Sequence, residues 1–420
     1  MGKTVAEKVF AKKSGQDSVK PGDVVFASVD VAMMHEAGTN GIQRPLRELG
    51  VGKLAEKIEI VIMLDHYVPA PNVANAGRHK VTREFAKRMN IPSWYEAGRG
   101  GICHQLLPEK GHVRPGEFIV GTDAHMTTYG ALGAYAVGVG FTEMAVILGT
   151  GKMWIVVPES VKVVLRGQLG PGVSEKDVVL LLLREFGLSR LTYKSLEIEG
   201  PAVSQFSVDG RMTICNMCSE MGIKAVVMKT DRQSNDYVLE RTSKPFKEIW
   251  ADQDASYEEV REFDVGSIGP LVAIPSTPDH VVPVTEVDGI RIDQAFLGSC
   301  TNGRISDLRV GAKILKGHKV HPDVRLIITP ASQEVYLQAL DEGLIRQFIT
   351  AGALVTNSTC GACIGGHMGV LADGEVCIAS SNRNFVGRMG STKSEVYLAS
   401  PATVVASAIS GQIKDPRKVL

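Results

Sequence analysis

Short runs of valine, isoleucine and leucine recur along the chain, and most of them end in polar residues. Such short, wholly apolar runs are typical of strands buried on both faces of a parallel sheet. They predict strands at 58–64, 117–120, 324–329, 353–356 and 375–379. In open α/β sheets, ligands bind in the crevice at the carboxyl ends of the strands. We therefore expect the polar residues that follow these strands to form one shared site.

Helical spacing alternates with these strands, which predicts an α/β fold. One helix is predicted at 177–186, and another runs from Ser332, a suitable N-cap, to about Leu340. The glycine- and alanine-rich stretch 128–149 is predicted to be a helix, and the proline-rich stretch 264–289 a connector. The predicted domains span residues 1–158, 159–265 and 266–420, the last of which includes the connector.

Length and charge narrow the class of protein. The 420 residues are enough for two or three domains of ordinary size. The 46 lysines and arginines balance the 46 aspartates and glutamates, so nothing points to nucleic acid or a membrane surface as a partner. No apolar run reaches the ~20 residues of a spanning helix. With seven cysteines and no signal-like opening segment, we expect free thiols and a cytoplasmic location.

Three cysteines carry the most specific chemistry. Cys300 lies in Gly-Ser-Cys-Thr-Asn-Gly-Arg, and Cys360 and Cys363 form a Cys-Gly-Ala-Cys pair. Three thiolates can hold a cubane iron–sulfur cluster and leave a fourth iron open as a Lewis acid. A Cys-x-x-Cys pair alone fits zinc or redox chemistry equally well. The second pair, Cys215 and Cys218, is too distant from Cys360 for one zinc ribbon, and its simpler interpretation is core packing.

Acid–base groups follow two of the predicted strands and a glycine-rich turn. Asp65 and His66 are adjacent, Asp123 and His125 lie two residues apart, and His104 follows Gly-Gly-Ile-Cys. A carboxylate beside an imidazole fixes its tautomer and raises its basicity, which suits proton transfer near neutral pH. Each histidine alone would more simply be structural. Together, in a chain with a candidate cluster, they favour catalysis.

Three further charged residues have two interpretations each. Glu220 alone would be an exposed helix carboxylate, and Arg383 and Arg388 alone would be surface charges. Near a cluster, two guanidinium groups instead favour bidentate binding of a substrate carboxylate.

Combined, these motifs closely resemble the large subunits of the two-subunit isopropylmalate dehydratase and homoaconitase group in the aconitase superfamily. The likeness runs from Lys3 to about Lys414. It rests on Asp-His at 65–66, Gly-Ile-Cys-His-Gln at 101–105, Gly-Thr-Asp at 121–123, and the segments 298–304, 359–367 and 382–388. The resemblance implies three aconitase-like α/β domains around a central cluster, without the swivelling fourth domain.

The resemblance also implies a role for each site residue. Cys300, Cys360 and Cys363 would bind one [4Fe-4S] cluster per subunit, with one iron not ligated by protein. Asn216 and Asn382 would contact the cluster, and Asp65, His66 and His125 would protonate the departing hydroxyl. His104 would pair with Asp123, and Glu220 would bond to the water or hydroxyl on the open iron. Arg388 would bind a substrate carboxylate with help from Arg383.

A partner is implied as well. In the family, the proton acceptor is a serine on a mobile C-terminal domain, and this chain ends soon after the segment that closes the large subunit. We therefore expect a small subunit that carries the swivelling domain and the base serine, and an isolated chain without activity. The expected substrate is a dicarboxylic hydroxy acid, and neither nucleic acid nor membrane is an expected partner.

One departure from the family pattern concerns the substrate. The family usually has Asp-Ser-His-Thr where this chain has Asp123-Ala124-His125-Met126. Loss of a hydroxyl and gain of a methionine predict a more apolar pocket, and removing a polar contact relaxes a preference for polar substrates. The prediction is reversible dehydration of an alkyl-substituted malate, either 2,3-dimethylmalate (to dimethylmaleate) or 3-isopropylmalate.

Three alternatives remain open at this point. A homoaconitase or aconitase acting on a tricarboxylate would need a further cationic contact, and Ala124 counts mildly against it. An iron sensor or RNA-binding protein is disfavoured by the absence of a basic stripe. A zinc or electron-transfer protein would hold a metal that does not respond to substrate.

Overall fold

The computed structural model describes residues 2–419, and within them the strands form four sheets. The N-terminal part contains six helices and seven strands. The helices are α1 (Val5–Ser14), α2 (Glu36–Gly41), α3 (Gln43–Glu48), α4 (Val73–Arg88), α5 (Cys103–Glu109) and α6 (Phe141–Thr150). The strands are β1 (Val24–Ser28), β2 (Val31–Met34), β3 (Glu59–Met63), β4 (Ser93–Tyr95), β5 (Phe118–Gly121), β6 (Tyr135–Gly138) and β7 (Lys152–Val156).

The first sheet is wholly parallel, with the strand order β4-β3-β2-β5-β6. Strands β1 and β7 form a separate antiparallel ribbon. The residues of β2 and β5 are all buried, as expected for strands covered on both faces. A 3₁₀ helix, Ala124–Leu132, follows β5 and returns the chain to β6.

The middle part forms a second parallel sheet. Its strands are β8 (Ser160–Arg166), β9 (Ser195–Glu199), β10 (Ala225–Met228) and β11 (Glu259–Asp264), in the order β10-β9-β8-β11. Its helices are α7 (Glu175–Phe186), α8 (Val208–Cys218) and α9 (Arg232–Leu239). Helix α7 begins with a capping box between Ser174 and Asp177, which satisfies exposed N–H groups at its start.

The C-terminal part forms a seven-stranded sheet in the order β13-β12-β18-β17-β14-β15-β16, which is parallel except at β12. The strands are β12 (Leu271–Ala273), β13 (Val281–Pro283), β14 (Gln294–Leu297), β15 (Arg325–Ile328), β16 (Leu354–Val355), β17 (Val376–Ala379) and β18 (Glu395–Ala399). The helices are α10 (Ser299–Asn302), α11 (Ile305–Leu315), α12 (Gln333–Asp341), α13 (Leu344–Ala351) and α14 (Pro401–Ser410). The shorter 3₁₀ helices along the chain are Val203–Gln205, Ser219–Met221, Val265–Ser267, Val284–Glu286, Gly361–Ile364 and Pro416–Lys418.

One hydrophobic core connects the three larger sheets. It includes Val31 of β2, Leu180 of α7 and Leu398 of β18, all of them fully buried. Helix α8 packs against the 3₁₀ helix Ala124–Leu132, so the middle part lies directly behind the polar loop that follows β5. The carboxyl ends of strands from the first sheet and from the seven-stranded sheet lie around one crevice.

The α/β fold class is confirmed, and each strand predicted from an apolar run is present within a residue or two of its predicted bounds. Two element predictions were wrong. The stretch 128–149 is not one helix, because Gly133 takes a left-handed conformation (φ 73°) and β6 intervenes before α6. The stretch 264–289 is more than a connector, because β12 and β13 belong to the third sheet.

The three large sheets lie within the three predicted segments, although the division into three domains stays a prediction. No helix in residues 2–419 combines the length and the apolar character that crossing a membrane requires.

Candidate active site

Polar residues from the ends of six strands line one cavity of about 490 Å³. Of the residues that the sequence singles out, the cavity is lined by Asp65, His66, His104, Asp123, His125, Cys300, Cys360, Cys363, Asn382, Arg383 and Arg388. Asn216 and Glu220 lie behind this lining and contact it through hydrogen bonds. The structure therefore brings all thirteen predicted site residues together.

Cys300 is held at the start of α10, immediately after β14. The preceding residue, Ser299, has a φ of +78°, a left-handed conformation that is uncommon outside glycine and asparagine. The side-chain amides of Asn216 and Asn382 donate to Cys300 Sγ over 3.2 Å and 3.3 Å. Two N–H donors aimed at one sulfur favour its thiolate form, which is the form that binds metal.

Cys360 and Cys363 lie at the start of the loop after β16. The backbone N–H groups of Cys360 and Gly361 donate to the carbonyls of Asp65 and His66, both over 3.2 Å. These two bonds join the cysteine loop of the third sheet to the acid–base loop of the first. Gly365 closes the turn with a φ of 64°, and a Cβ there would lie 2.9 Å from the Arg388 carbonyl oxygen.

Charge around the cysteine pair suits a metal-binding sulfur. The neighbouring Cys360 thiol and the nearby Arg388 guanidinium hold the pKa of Cys363 well below its usual range. Ser299 Oγ lies 3.6 Å from Cys363 Sγ and donates to it. Burial raises the pKa of Cys300 to about 12. Three buried thiols with N–H and O–H donors at one cavity fit an iron–sulfur cluster.

Asp123 lies among four imidazoles. Its Oδ1 is 2.7 Å from His104 Nε2 and accepts the His125 backbone N–H at 2.8 Å. Its Oδ2 is 3.7 Å from both His35 Nε2 and His66 Nε2. Burial would raise the pKa of Asp123, but the adjacent His104 and His125 hold it well below its usual range. The carboxylate is therefore ionised at neutral pH and stabilises positive charge on its neighbours.

His125, Glu220 and Arg383 form a connected ionic row at one side of the cavity. His125 Nε2 lies 3.0 Å from Glu220 Oε1, which also accepts from Arg383 Nε at 2.7 Å. Burial would lower the pKa of His125, but hydrogen bonds to Asp123 and Glu220 raise it. Burial would likewise raise the pKa of Glu220, but the His125 hydrogen bond and the Arg383 charge lower it.

His66 is an imidazole with a strongly raised pKa. Its Nδ1 lies 3.5 Å from Asp65 Oδ2. Although burial opposes protonation, the negative charge of Asp65 raises the pKa of His66 to about 10. His66 therefore carries a proton at neutral pH and is available as an acid.

Two site residues were missed by sequence reasoning, His35 and Glu36. The His35 ring stacks on His66 with 4.2 Å between centroids, and burial together with the His66 charge lowers the pKa of His35. Both oxygens of Glu36 accept backbone N–H groups, from Asp65, His66 and Tyr67, over 2.8–3.0 Å. Their position after a strand could have identified them, since they follow β2 just as Asp65 and His66 follow β3.

Two residue groups have ligand atoms close enough to bind a metal ion directly: His35, Glu36 and His66, and His104, Asp123 and His125. In the first group, both Glu36 oxygens are already engaged by three N–H groups. In the second, Asp123 Oδ1 accepts two hydrogen bonds. The three cysteines are therefore the better metal ligands of this cavity.

Arg388 presents its guanidinium to the cavity beside the cysteines. Its Nη2 lies 3.9 Å from Cys363 Sγ. Its Nε is buried and has no hydrogen-bond partner among residues 2–419. A buried donor left free at a cavity wall is suited to an anionic ligand such as a carboxylate.

Ala124 lies at the cavity, whereas Met126 lies in the hydrophobic core. Ala124 is exposed and lines the cavity. Met126 is fully buried, and its Sδ would lie 2.4 Å from a Cβ at Gly121. The prediction that Met126 makes the pocket apolar was therefore wrong, because the 3₁₀ helix directs this side chain into the core.

Cys215 and Cys218 are fully buried in the hydrophobic core on α8, and burial raises the pKa of both thiols. Their surroundings agree with packing as their role.

Comparisons with known proteins find similar sequences over nearly the whole chain. The family model described as "Aconitase family (aconitate hydratase)" matches residues 7–289 and 285–411. The chain is 51% identical over 421 residues to 3-isopropylmalate dehydratase large subunit 1 of Methanopyrus kandleri, covering 100% of both chains. It is 46% identical to the 3-isopropylmalate dehydratase large subunit of Aquifex aeolicus, covering 100% of this chain and 98% of that one.

Two other comparisons give a further large subunit and one solved structure. A probable methanogen homoaconitase large subunit of Methanothermobacter thermautotrophicus is 47% identical, with 99% of this chain and 97% of that one covered. The solved holo-form of Thermococcus kodakaraensis aconitase X matches with a TM-score of 0.49 and 12% identity, covering 86% of this chain and 84% of that one.

Proposed function

The chain belongs to the aconitase family, and we propose that it is the catalytic large subunit of a two-subunit hydro-lyase that reversibly dehydrates 3-isopropylmalate. One observation carries this proposal. Three buried cysteines line a single cavity with the pairs Asp65–His66 and Asp123–His104 and with His125, which Glu220 supports from behind the lining. Thiolate ligands beside proton-transfer groups suit a metal-assisted dehydration.

Cys300, Cys360 and Cys363 would hold a [4Fe-4S] cluster, and Asn216 and Asn382 would both donate hydrogen bonds to the Cys300 sulfur. When bound, such a cluster supplies Lewis-acid chemistry at the iron that no cysteine ligates. The remaining chemistry belongs to residues of the chain.

His66 is positioned to give a proton to the departing hydroxide. It is protonated at neutral pH because its pKa is raised to about 10 by the charge of Asp65. Arg388 binds a substrate carboxylate through its free Nε. Glu220 holds His125 and Arg383 in place, so that the cavity wall keeps a fixed pattern of charge as the C–O bond breaks.

The base that takes the substrate proton is proposed to come from a small subunit. No serine lines the cavity within the part of the chain that the structure describes. The relatives in Methanopyrus kandleri and Aquifex aeolicus are named as large subunits, which supports a partner for this chain.

A second candidate substrate is 2,3-dimethylmalate, which Ala124 favours. A methyl group at this position of the cavity lining cannot donate a hydrogen bond to a polar substituent, so a small alkyl group is accepted there. A tricarboxylate is the third candidate substrate, because one similar protein is named as a homoaconitase large subunit. The same acid–base set would serve all three substrates.

The test is an anaerobic reconstitution of the chain with iron and sulfide, followed by addition of its small subunit. Formation of the unsaturated acid is followed by ultraviolet absorbance with 3-isopropylmalate, 2,3-dimethylmalate and homocitrate in parallel. Turnover of 3-isopropylmalate that needs both subunits supports the proposal. If only 2,3-dimethylmalate or only homocitrate is turned over, that acid replaces 3-isopropylmalate as the proposed substrate. Turnover by the chain alone contradicts the need for a partner base.

A further inference from the structure

Lys176, on α7, is a buried lysine directly behind the cysteine site. Its side chain is 1% exposed, and its Nζ donates to the carbonyl oxygens of Ser380 and Ser381 over 2.7 Å and 2.6 Å. These carbonyls precede Asn382, whose amide contacts Cys300 Sγ. The ammonium therefore holds the main chain that presents Asn382 to the sulfur.

Arg304 makes a parallel contact from another side. It is fully buried, and its Nη2 and Nη1 donate to the carbonyls of Cys300 and Thr301, both over 2.7 Å. Its Nε donates to Gln105 Oε1 over 3.1 Å. The guanidinium thus holds the main chain of a cysteine itself.

A comparison with the other buried cations sets these two apart. Within residues 2–419, four lysine and arginine residues are buried: Arg114, Lys176, Arg211 and Arg304. Arg114 lies 2.7 Å from the Glu117 carboxylate, and Arg211 lies 2.5 Å from that of Asp231. Lys176 and Arg304 have no carboxylate oxygen within 4.0 Å among the described residues.

The nearest acids are engaged elsewhere. Asp177 accepts the backbone N–H of Leu271 and that of Ser174. Asp307 accepts the backbone N–H of Arg304 and the side-chain amide of Asn302. Burial lowers the pKa of Lys176 to about 7, against the weaker opposing effect of the Asp307 charge. A buried cation without a close opposite charge is unfavourable, so a negative group at this site would stabilise the charged form of both side chains.

We propose that Lys176 and Arg304 are positioning residues that act as buried counter-charges for the cluster held by Cys300, Cys360 and Cys363. This inference rests on the proposed function. Three thiolates and a [4Fe-4S] core with two positive charges sum to one negative charge, which becomes two when the cluster is reduced. Two nearby cations stabilise the more negative state, so they raise the reduction potential.

The experiment uses the neutral variants Lys176→Gln and Arg304→Gln, which keep a donor for the carbonyls but remove the charge. Iron and sulfide content and the midpoint potential of the reconstituted cluster are measured beside the unaltered chain. Each variant is expected to lower the ratio of reduced to oxidised cluster at the wild-type midpoint by about tenfold, equal to a shift of ~59 mV for one electron. Lys176→Arg and Arg304→Lys keep the charge and are expected to keep the potential.

Arg114→Gln is the matched control. It removes a buried cation that precedes β5, at the end of the first sheet opposite Asp123. It is expected to lower thermal stability and leave the potential unchanged. Unchanged potentials in both neutral variants with full iron content would overturn the inference.

If neither neutral variant retains a cluster, the iron contents of Lys176→Arg and Arg304→Lys test the counter-charge role. Full iron content in both supports the counter-charge role, and loss of iron in both overturns it in favour of shape alone. Absence of any cluster in the unaltered chain contradicts the proposed function instead, so the two failures are distinguishable.

Discussion

The Glu36 carboxylate accepts the backbone N–H of His66 over 2.8 Å. The same carboxylate accepts the neighbouring N–H groups of Asp65 and Tyr67, so one buried charge fixes three consecutive residues. The position of the His66 imidazole therefore depends on a residue that follows the adjacent strand β2. Proton transfer in this site depends on the packing of two strands as well as on the histidine itself.

Glu36→Gln is expected to displace the His66 loop, because an amide has one acceptor oxygen where the carboxylate has two. We expect kcat to fall by about 10- to 100-fold and stability to fall by roughly 1–3 kcal/mol. Steady-state kinetics of the reconstituted two-subunit enzyme and thermal melts measure both. Glu48→Gln, on the exposed face of α3, is the control and should leave both quantities unchanged. Wild-type kcat in Glu36→Gln would show that the loop holds its shape without the charge.

Asp123→Asn is expected to lower kcat by about 100-fold or more, since it removes the negative charge shared by His104 and His125. Cluster content should be unchanged, because Asp123 is not among the proposed cluster ligands. Iron analysis alongside initial rates separates the two effects. Asp373→Asn, in an exposed ion pair with Lys393, is the control for loss of a carboxylate. Equal loss of iron and activity in Asp123→Asn would assign the residue to cluster assembly.

Cys360→Ala is expected to abolish stable iron binding, because it removes one of three proposed ligands. Cys218→Ala, at a fully buried thiol of α8 in the hydrophobic core, should retain the iron content of the unaltered chain. Iron and sulfide determination with ultraviolet–visible absorbance checks both. Full iron content in Cys360→Ala would mean that this cysteine is not a ligand.

Glu197 gives a pH dependence of stability that is independent of the active site. It is fully buried in β9, and burial raises its pKa to about 7. The folded chain therefore keeps a proton that the unfolded chain loses above about pH 4.5. This contribution to stability is complete below about pH 4.5 and is lost as the pH rises through 7, by about 3 kcal/mol in total.

Glu197→Gln should remove this dependence, because an amide does not titrate. Melting temperatures of both proteins at about pH 5 and pH 8 measure the effect. We expect the melting temperature of the unaltered chain to fall relative to the variant as the pH rises. A constant difference between the two proteins would exclude Glu197 as the titrating group.

Ala124→Ser restores a hydroxyl to the cavity lining. We expect the ratio of kcat/KM for an alkylmalate to that for a tricarboxylate to fall by about tenfold, since a polar substituent gains a partner. Met126→Leu is the control, because this side chain packs in the core beside Gly121. An unchanged ratio in Ala124→Ser would assign substrate choice to the small subunit alone.

Most of this architecture could be predicted because the strands are strongly apolar. The run at 58–64 became β3, and Asp65 and His66 followed at its end as expected. In contrast, β6 reads Tyr-Ala-Val-Gly within a stretch rich in glycine and alanine, where four residues cannot distinguish a strand from a helix. His35 and Glu36 were missed because β2 ends in two methionines, a weaker strand signal than β-branched residues.

The contacts that complete the site were beyond sequence reasoning for a different reason. Lys176 meets carbonyls more than 200 positions later in the chain, and no local pattern encodes such an approach. The direction of Met126 also depended on tertiary packing, because the residues of a short 3₁₀ helix can face either the cavity or the core. Residue type and spacing identified the chemistry, whereas the second layer of contacts required the folded chain.

The two hydrogen bonds from the Cys360 loop to the carbonyls of Asp65 and His66 have a consequence for damage and repair. Oxidation that disorders the cysteine loop would release the acid–base loop as well, so the chain would lose its metal site and its proton donor in one event. Refilling the metal site would restore both. Protection of the Cys360 and Gly361 amides against hydrogen exchange would then measure whether the cysteine loop and the acid–base loop are both ordered.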